Sequence, residues 1–346
     1  MKRYVSTCVS GLQTVASDAL ARTLPHYRPL RICDGMVIYE TDADPAVLTR
    51  PGVANNTYLL HGAFRDDLSG DINDSIRRNL RELRVDFDFI RRSGLLKKQK
   101  SFKLFASDRN RPVRLDYALT QPLEKQIQSA LHLRVDFRRP DAEFIFSRRS
   151  EGMLLFMTKI TYNRLTEKDL PQGALRPELC RLLGEVAGVG AGDIVLDPFC
   201  GYGSIPVQIM KSFSYNMIFA NDNNAAMVAA LKRTYGKNDR RLFIKCRDAL
   251  DPANFQADFI DRIITDPPWN VFHHTEESFA GFYTDMLREF ERILKPGGSA
   301  TILMGNLPDF EAAMAAVPGL VLQARYNVLV NGKKASVFKL GKEVKA

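Results

Sequence analysis

The stretch that decides the fold reads Ile194-Val195-Leu196-Asp197-Pro198-Phe199-Cys200-Gly201-Tyr202-Gly203-Ser204-Ile205-Pro206. Its first three apolar residues predict a short buried strand that ends at Asp197, and the two glycines predict a tight turn into a helix that opens at Ser204. Ligands of open α/β sheets bind where strand ends and helix N-termini converge. We therefore expect a ligand at this turn, although a G-x-G alone also fits a plain strand-to-helix connection.

Strands and helices alternate from residue 190 onward, which indicates a mostly parallel sheet covered on both faces. The predicted strands are 194–197, 217–220, 242–245, 262–265 and 299–304, and the predicted helices are 204–213, 224–235 and 279–294. Two further strands, 321–330 and 335–340, are joined by Asn331-Gly332 and predict a closing antiparallel hairpin. The fold class is therefore α/β, with a seven-stranded Rossmann-like sheet in the second half of the chain.

Four acidic residues stand at the ends of four predicted strands: Asp197, Asp222, Asp248 and Asp266. A carboxylate at this rim can accept hydrogen bonds from ribose hydroxyls or from an exocyclic amine. The interval from Asp197 to Asp222 is near the roughly 20 residues that separate a glycine turn from a ribose-binding acid. That interval also fits NAD enzymes, but the turn here is D-x-x-C-G-x-G rather than G-x-G-x-x-G, which argues against a dehydrogenase.

The fourth strand ends in Asp266-Pro267-Pro268-Trp269. Prolines lack an N–H and fix φ, so the carbonyls before and between them can face a ligand. With the Asp266 carboxylate they form a rigid set of acceptors for the two N–H groups of an exocyclic amine, and Trp269 offers a face on which a base can stack. We predict that these four residues are catalytic. A proline-rich turn with Asp266 as a cap is the alternative interpretation.

Charge and cysteine content narrow the class of protein. The chain has 346 residues and a net charge of +9, of which residues 1–150 carry +8 and residues 151–346 carry +1. This asymmetry predicts a basic nucleic-acid-binding module joined to a neutral one. Five scattered cysteines without a C-x-x-C pair argue against a disulfide framework or a zinc site and favour a reducing compartment. No apolar run reaches about 20 residues, so we expect a cytoplasmic protein without membrane or metal.

The domain organisation follows from these patterns. We predict a small α/β domain over residues 1–66, a second module over 67–160, a linker over 161–176 and the Rossmann-like domain over 177–346. The basic residues expected to bind nucleic acid lie in the second module, on one face of a predicted helix over 71–83 and in the stretch after it. They are Arg77, Arg78, Arg81, Arg84, Arg91, Arg92, Lys97, Lys98 and Lys100.

Two resemblances extend this interpretation. Residues 102–160, with the segment VDFRRPDAEFIF and the Pro140-Asp141 turn, resemble the later part of a THUMP domain, an RNA-binding module that is commonly preceded by a ferredoxin-like domain. Residues 176–346 resemble a class I S-adenosylmethionine-dependent RNA methyltransferase of the N-methylating group that includes tRNA guanosine-N2 methyltransferases. The segments that carry this second resemblance are LRPELC, DPFCGYGS, DPPW and LKPGG, with Tyr202 and Trp269 departing from the commonest residues.

The methyltransferase resemblance implies roles for individual residues. Asp197 and the backbone from Cys200 to Gly203 hold the methionine part of the cofactor, Asp222 the ribose, and Asp248 with Ala249 the adenine, while Asp266 and Trp269 face the target base. The full cofactor set implied is Asp197, Pro198, Phe199, Cys200, Gly201, Gly203, Asp222, Asn223, Asp248, Ala249 and Asp266.

The expected function is methyl transfer from S-adenosylmethionine to guanine N2 of a structured RNA, tRNA in the first place. The alternatives are guanine N2 of rRNA, adenine N6, and a non-catalytic RNA-binding protein with a relic methyltransferase fold. We expect a monomer or weak dimer. His273 and His274, directly after the D-P-P-W motif, are candidates for RNA contact.

Overall fold

The computed structural model describes residues 1–48, 50, 52–161, 170–171, 173–237, 239–269, 279–330 and 332–344. The chain forms two compact units, one comprising Met1–Cys8 and Ala16–Arg164, the other Val9–Val15 and Leu165–Ala346. His273 and His274, most of the predicted linker and Asn331 of the predicted hairpin turn lie outside the described residues.

The first half of the chain contains one mixed sheet and four helices within its described residues. The elements are β1 (Lys2–Thr7), α1 (Gln13–Thr23), β2 (Arg28–Cys33), β3 (Met36–Thr41), β4 (Asn56–Arg65), α2 (Ile72–Asn79), α3 (Phe87–Arg92), β5 (Ser101–Asp108), β6 (Arg111–Val113), α4 (Tyr117–Leu131), β7 (Arg134–Val135), β8 (Ala142–Arg149) and β9 (Met153–Lys159). The strand order is β2-β3-β1-β4-β9-β8-β5-β6, with β7 beside β5.

Strand β4 joins the two modules expected in this half. It pairs antiparallel with β1 on one side, through Tyr4 and Leu59, and with β9 on the other, through Arg65 and Met153. Strands from residues 1–66 and from residues 67–160 therefore lie in one nine-stranded sheet. The division at residue 66 stays a prediction.

Local signals explain two of the elements in this half. Asp71 caps α2 in a capping box with Asp74, and Ile72 and Ile76 bury its apolar face. Asp141 of the expected turn accepts hydrogen bonds from the backbone N–H groups of Lys100 and Ser101, at 2.9 and 3.0 Å, and so fixes the start of β5.

The second half contains the expected alternation of strands and helices. Its elements are α5 (Pro177–Ala187), β10 (Ile194–Asp197), α6 (Ser204–Ser212), β11 (Met217–Asp222), α7 (Ala225–Tyr235), β12 (Leu242–Cys246), β13 (Ile260–Thr265), α8 (Ala280–Ile293), β14 (Leu294–Met304), α9 (Leu307–Ala315), β15 (Leu320–Val330) and β16 (Lys333–Lys342). The strand order is β12-β11-β10-β13-β14-β16-β15.

This sheet places the candidate site at one edge. Strands β12, β11, β10, β13 and β14 are parallel, so their carboxyl ends meet at one rim. Strands β15 and β16 are antiparallel, as the hairpin pattern predicts. Helices α8 and α9 pack on one face through a core that includes Tyr283, Phe290, Phe310 and Phe338, all nearly inaccessible to solvent.

Some elements differ from the sequence-based expectation. The elements β2, α3, β6 and α9 were not expected, and helix α2 ends at Asn79 although the predicted helix extends to residue 83. The alternating segment 133–137 predicts a strand, but only Arg134–Val135 forms one. Five of the six residues of β2 are exposed, so it has no inside–outside alternation to detect. Helix α4 begins at Tyr117, before Pro122, because Asp116 caps it there.

Candidate active site

Asp197 ends β10 in a buried position. Its side chain is 2 % exposed, and its Oδ1 accepts hydrogen bonds from the Thr265 hydroxyl at 2.7 Å and from the Phe199 N–H at 3.2 Å. Burial in the first place, with smaller contributions from the neighbouring carboxylates of Asp266 and Asp222, raises the pKa of this carboxyl to about 8, although the two hydrogen bonds oppose the shift. No ion pair of Asp197 with a cationic side chain occurs among the described residues.

The glycine turn after β10 has the backbone that only glycine adopts without strain. Gly201 and Gly203 have φ of +51° and +87°. A Cβ on Gly203 would lie 2.3 Å from Leu231 Cδ1, so the turn also packs directly against α7. The Gly203 N–H donates to the Cys200 carbonyl at 2.7 Å, and α6 starts at the next residue.

Asp222 ties this turn to β11. Its Oδ2 accepts from the Gly201 N–H and its Oδ1 from the Asn224 N–H, both at 2.8 Å. Each carboxylate oxygen keeps a further lone pair, because an ionised carboxylate has about four acceptor positions. Asp222 is therefore oriented by the turn and still able to accept from a ligand hydroxyl.

The remaining cofactor residues expected from the sequence fall into two groups. Phe199 and Cys200 line the same cleft as Asp197. Asp248 and Asn223 are exposed, and Ala249 is half-exposed beyond the end of β12. Asp248 Oδ1 accepts from the Leu250 N–H at 3.0 Å, a contact that shapes its own turn.

Asp266 and Trp269 contact each other at the end of β13. The Trp269 indole Nε1 donates to Asp266 Oδ1 at 2.8 Å. Burial raises the pKa of Asp266 to about 7, and the indole hydrogen bond partly opposes that shift. Trp269 is only half-buried, so part of its ring reaches solvent. The Trp269 indole therefore contacts the Asp266 carboxylate, a contact that the sequence did not predict; its base-stacking role stays a prediction.

Two residues that the sequence did not single out fix the D-P-P-W segment. The Tyr283 hydroxyl, on α8, donates to the Pro268 carbonyl at 2.7 Å, and Tyr283 is fully buried. Gly305 follows β14, and a Cβ there would lie 2.1 Å from Trp269 Cε3, so the indole packs on bare backbone. Gly305 could have been found from the sequence, because it is a glycine directly after a strand at the same sheet edge. Tyr283 could not, because the sequence shows it only as one residue of an apolar helix face.

Asp197, Asp266 and the glycine turn line one cleft. Its other lining residues are Gly173, Ala174, Leu175, Phe199, Cys200, Tyr202, Ser204, Ile205 and Met227. The first three come from the segment expected to be a linker, and the Leu175 N–H donates to the Ser204 hydroxyl at 3.2 Å. Cys200 is buried, and desolvation raises the pKa of its thiol far above neutrality, which argues against a thiolate nucleophile there.

The residues of this cleft fit S-adenosylmethionine. Two carboxylates, the buried Asp197 and the half-buried Asp266, lack a cationic partner among the described residues, and a sulfonium is a cation that would compensate them. The open backbone of Gly201 and the oriented Asp222 suit a nucleoside approaching closely.

The basic residues expected to bind RNA are exposed but differ in their partners. Arg77 pairs with Asp74 at 2.8 Å, Arg78 with Asp67 at 3.4 Å, and Arg91 with Asp88. Arg84 and Arg92 donate to backbone carbonyls. Arg81, Lys97, Lys98 and Lys100 have no side-chain partner within the described ranges and are the freer cations of this set.

Three features of the described residues bear on other classes of site. They contain no group of three or more His, Cys, Asp and Glu side chains arranged to hold a metal. They also contain no helix with the length and apolarity needed to cross a bilayer. The five cysteines are unpaired, with Cys246 exposed and the others buried.

Known proteins resemble this chain in sequence. A tRNA (guanine(6)-N2)-methyltransferase of Thermus thermophilus is 27 % identical over 66 % of this chain and 70 % of its own length. A tRNA (guanine(10)-N2)-dimethyltransferase of Methanothermobacter thermautotrophicus is 27 % identical over 52 % of this chain and 55 % of its own length. The matched regions therefore span between about half and about two thirds of these proteins.

Solved structures resemble the whole fold. The crystal structure of TrmN from Thermus thermophilus has a TM-score of 0.77 at 20 % identity and covers 99 % of this chain and 100 % of its own. A methyltransferase complexed with SAH has a TM-score of 0.68 at 14 % identity, with 99 % of each chain covered. Both similarities concern the fold.

A family model described as RMKL-like, methyltransferase domain, of the UPF0020 family, matches residues 164–335. The match contains the glycine turn, all four strand-end aspartates and the D-P-P-W motif. The strand order and the cleft described above agree with it. The second half of this chain is a methyltransferase domain of the RMKL-like UPF0020 family.

Proposed function

We propose that this protein is an S-adenosylmethionine-dependent RNA methyltransferase that methylates guanine N2 of a tRNA. The observation that carries the proposal is a pair of carboxylates, the buried Asp197 and the half-buried Asp266, beside the glycine turn and without a cationic partner among the described residues. The names of the similar tRNA methyltransferases support the choice of tRNA and of guanine N2.

The residues of the cleft have separate roles in this proposal. Asp222 and the backbone around Gly201 hold the nucleoside part of the cofactor, and Asp197 lies beside its sulfonium end. Bound S-adenosylmethionine supplies an electrophilic methyl group. Asp266 and the carbonyls before and between the prolines accept the N–H groups of the target amine and orient its lone pair.

Asp266 also stabilises positive charge that develops on the amine nitrogen as the new bond forms. Positioning of this kind can supply up to roughly 7–11 kcal/mol of the barrier reduction. The amine proton then leaves toward acceptors at the same place, and the Asp266 carboxylate, with a pKa of about 7, can receive it.

The test is methylation of unmodified RNA by the purified protein. The protein is incubated with labelled S-adenosylmethionine and either tRNA or rRNA transcripts, and the digested nucleosides are identified by mass spectrometry. We expect N2-methylguanosine in the tRNA. Asp222→Ala, which removes the ribose acceptor, is the negative control and should lose at least tenfold in cofactor affinity.

Other products would replace the proposal with one of the alternatives. N6-methyladenosine would redirect the target to adenine, and a product in rRNA alone would change the substrate. A relic fold would not bind S-adenosylmethionine in a calorimetric titration.

Cytoplasmic location and a monomeric or weakly dimeric state stay predictions.

A further inference from the structure

The first turn of α9 contains two polar side chains that face the neighbouring helix α8. Asn306 is the N-cap of α9, yet among the described residues its side chain makes no capping hydrogen bond. Asparagine is favoured at an N-cap because its side-chain oxygen accepts such a bond from the helix backbone. Here the Asn306 Nδ2 donates to Asp309 Oδ2 at 2.9 Å instead. The polar groups of this turn therefore serve a contact other than the cap of their own helix.

The Asp309 carboxylate caps α8 from outside that helix. The N-cap of α8 is Phe279, whose side chain has no hydrogen-bonding group, so the helix N-terminus needs an acceptor from elsewhere. Asp309 Oδ2 accepts from the Phe279 N–H at 2.8 Å, and its negative charge suits the positive end of the helix dipole. The position of Asp309 is thus tied to the start of α8, one turn before Tyr283.

Asn306 connects this carboxylate to Tyr283. Burial, and to a smaller extent the Asp309 charge, raises the pKa of Tyr283, and a hydrogen bond from the Asn306 side chain opposes the shift. The Tyr283 hydroxyl donates in turn to the Pro268 carbonyl at 2.7 Å. A chain of hydrogen bonds therefore runs from Asp309 through Asn306 and Tyr283 to the D-P-P-W segment.

The carboxylate fixes the direction of this chain. A carboxylate can only accept, so Asp309 selects the NH₂ group of the Asn306 amide rather than its oxygen. The same NH₂ group donates to the Tyr283 oxygen, whose own hydrogen then points to another acceptor, the Pro268 carbonyl. An uncharged amide at position 309 could donate as well as accept. Asn306 would then be free to turn its oxygen toward Tyr283 and draw the hydroxyl hydrogen away from Pro268.

We propose that Asn306 and Asp309 are positioning residues for methyl transfer, which act through Tyr283 on the D-P-P-W segment. This inference rests on the proposed function, which assigns the Pro267 carbonyl to the target amine. A proline ring fixes φ, so only ψ of Pro268 can turn the two proline carbonyls relative to each other. The hydrogen bond from Tyr283 removes that freedom and holds the two carbonyls in one arrangement.

The test is a double-mutant cycle of Tyr283→Phe and Asp309→Asn in the full chain. The first change removes only the hydroxyl, since the ring still packs against Phe279 and Phe310, whose ring centroids are both 5.8 Å away. The second change keeps the shape of the side chain and an oxygen that can cap α8. In single-turnover methylation of tRNA, each variant should be about 10–100-fold slower, because a small misplacement of a reacting group can cost that much. The affinities for RNA and S-adenosylmethionine should stay at the wild-type level.

The two losses should not multiply. Both changes act on the same hydroxyl, so the double variant should transfer the methyl group at the rate of Tyr283→Phe alone. If Asp309 only stabilised α8 through the cap, its substitution would have the same effect with and without the Tyr283 hydroxyl. The cycle therefore distinguishes a positioning role from a structural one.

A second measurement needs neither RNA nor cofactor. Trp269 is the single tryptophan of the chain and directly follows Pro268. When the Pro268 carbonyl loses its donor, the segment should loosen and expose more of the indole to solvent. Acrylamide should therefore quench the intrinsic fluorescence more strongly in Tyr283→Phe and in Asp309→Asn than in the wild type.

The matched control is another buried tyrosine that donates to an aspartate of the same domain. The Tyr215 hydroxyl donates to Asp239 Oδ2 at 2.6 Å, and Tyr215 precedes β11, at the sheet edge opposite the candidate site. Tyr215→Phe and Asp239→Asn should lower the melting temperature, because they remove a hydrogen bond and a charge of the same kinds. They should change neither the rate of methyl transfer nor the quenching.

The outcomes separate this inference from the proposed function. Formation of N2-methylguanosine at the wild-type rate by Tyr283→Phe and Asp309→Asn would overturn the positioning role and leave the function standing. Losses that multiply in the double variant, equal losses in the control pair, or unchanged quenching would overturn the positioning role as well. A wild-type protein that forms no methylated nucleoside in tRNA or rRNA would overturn both the proposed function and this role in it.

Discussion

At the scale of single residues, the proposed chemistry depends on two aspartates. Asp197 is buried and Asp266 half-buried at one cleft, and their carboxyl pKa values are raised to about 8 and about 7. Both residues were identified from the sequence because acidic residues recur at strand ends. Their burial and the absence of a cationic partner follow from the packing of Thr265 and Trp269, which no local pattern shows.

Asp266→Asn should slow methyl transfer by about 10²–10³ in single-turnover experiments with saturating RNA and cofactor, since it removes one preorganised electrostatic contact. The wild-type rate should rise with pH through about 7, because only the ionised carboxylate stabilises the positive amine. The variant should lose that dependence. A wild-type rate in the variant, or an unchanged pH profile, would move the catalytic role to another residue.

Asp197→Asn should stabilise the ligand-free protein at alkaline pH. An unfolded aspartate has a pKa of about 3.9, so the folded state with its higher pKa binds the proton more tightly. The free energy of unfolding therefore falls as the pH rises from about 4 to about 8. The amide cannot ionise, and its oxygen can still accept from Thr265 and Phe199.

The measurement is the melting temperature of both proteins at pH 5 and pH 8.5. The variant should melt several degrees higher at pH 8.5, at about 2–4 °C per kcal/mol, with a smaller difference at pH 5. S-adenosylmethionine affinity should fall at least tenfold in the variant. If the two proteins have equal melting temperatures at each pH, ionisation of Asp197 does not destabilise the folded state.

At the scale of elements, contacts between strands and helices position the D-P-P-W segment. Trp269 follows β13, packs on Gly305 after β14, and donates to Asp266, while α8 contributes Tyr283 to the Pro268 carbonyl. The strands β10 and β13 and the hairpin could be predicted from apolar runs and turn residues. The contacts of α8 with the D-P-P-W segment could not, because they join residues distant in sequence.

Gly305→Ala should displace the indole and break its hydrogen bond to Asp266. The new Cβ would lie 2.1 Å from Trp269 Cε3, and an aromatic ring cannot bend away. Trp269 is the single tryptophan of the chain, so intrinsic fluorescence reports its surroundings directly. We expect a shifted emission spectrum and at least a tenfold slower methyl transfer. Gly281→Ala on α8 is the matched control, since nothing lies within 4 Å of its added Cβ, and it should change neither quantity.

At the scale of the whole molecule, the described residues form two sheets, one in each half of the chain, and the two halves differ in net charge. Composition alone indicated a basic first half and a neutral second half, and the alternation of strands and helices indicated the Rossmann-like sheet. The single nine-stranded sheet of the first half could not be predicted, because its junction is made by β4 pairing with β9 across about a hundred residues. Its edge strand β2 also lacks an apolar face.

This charge distribution predicts different responses of the two ligands to salt. RNA affinity should fall steeply between 50 and 200 mM salt, because cationic side chains release counterions when they contact phosphates. S-adenosylmethionine affinity should change by less than about twofold over the same range, since its site is buried. Anisotropy and calorimetry, respectively, measure the two. An RNA affinity that does not change with salt would contradict the proposal that the basic half of the chain binds RNA.

The uncompensated carboxylates Asp197 and Asp266 also bear on product inhibition. S-adenosylmethionine carries a positive sulfur, whereas the spent product, S-adenosylhomocysteine, carries none, so only the donor gains from two ionised neighbours. The donor should therefore bind more tightly than the product, and the ratio of their affinities should widen from pH 6 to pH 9 as the carboxyls ionise. Parallel titrations with both compounds would show this, and identical pH dependence for the two would contradict it. Loss of the sulfonium charge would thus favour release of the used cofactor from this site.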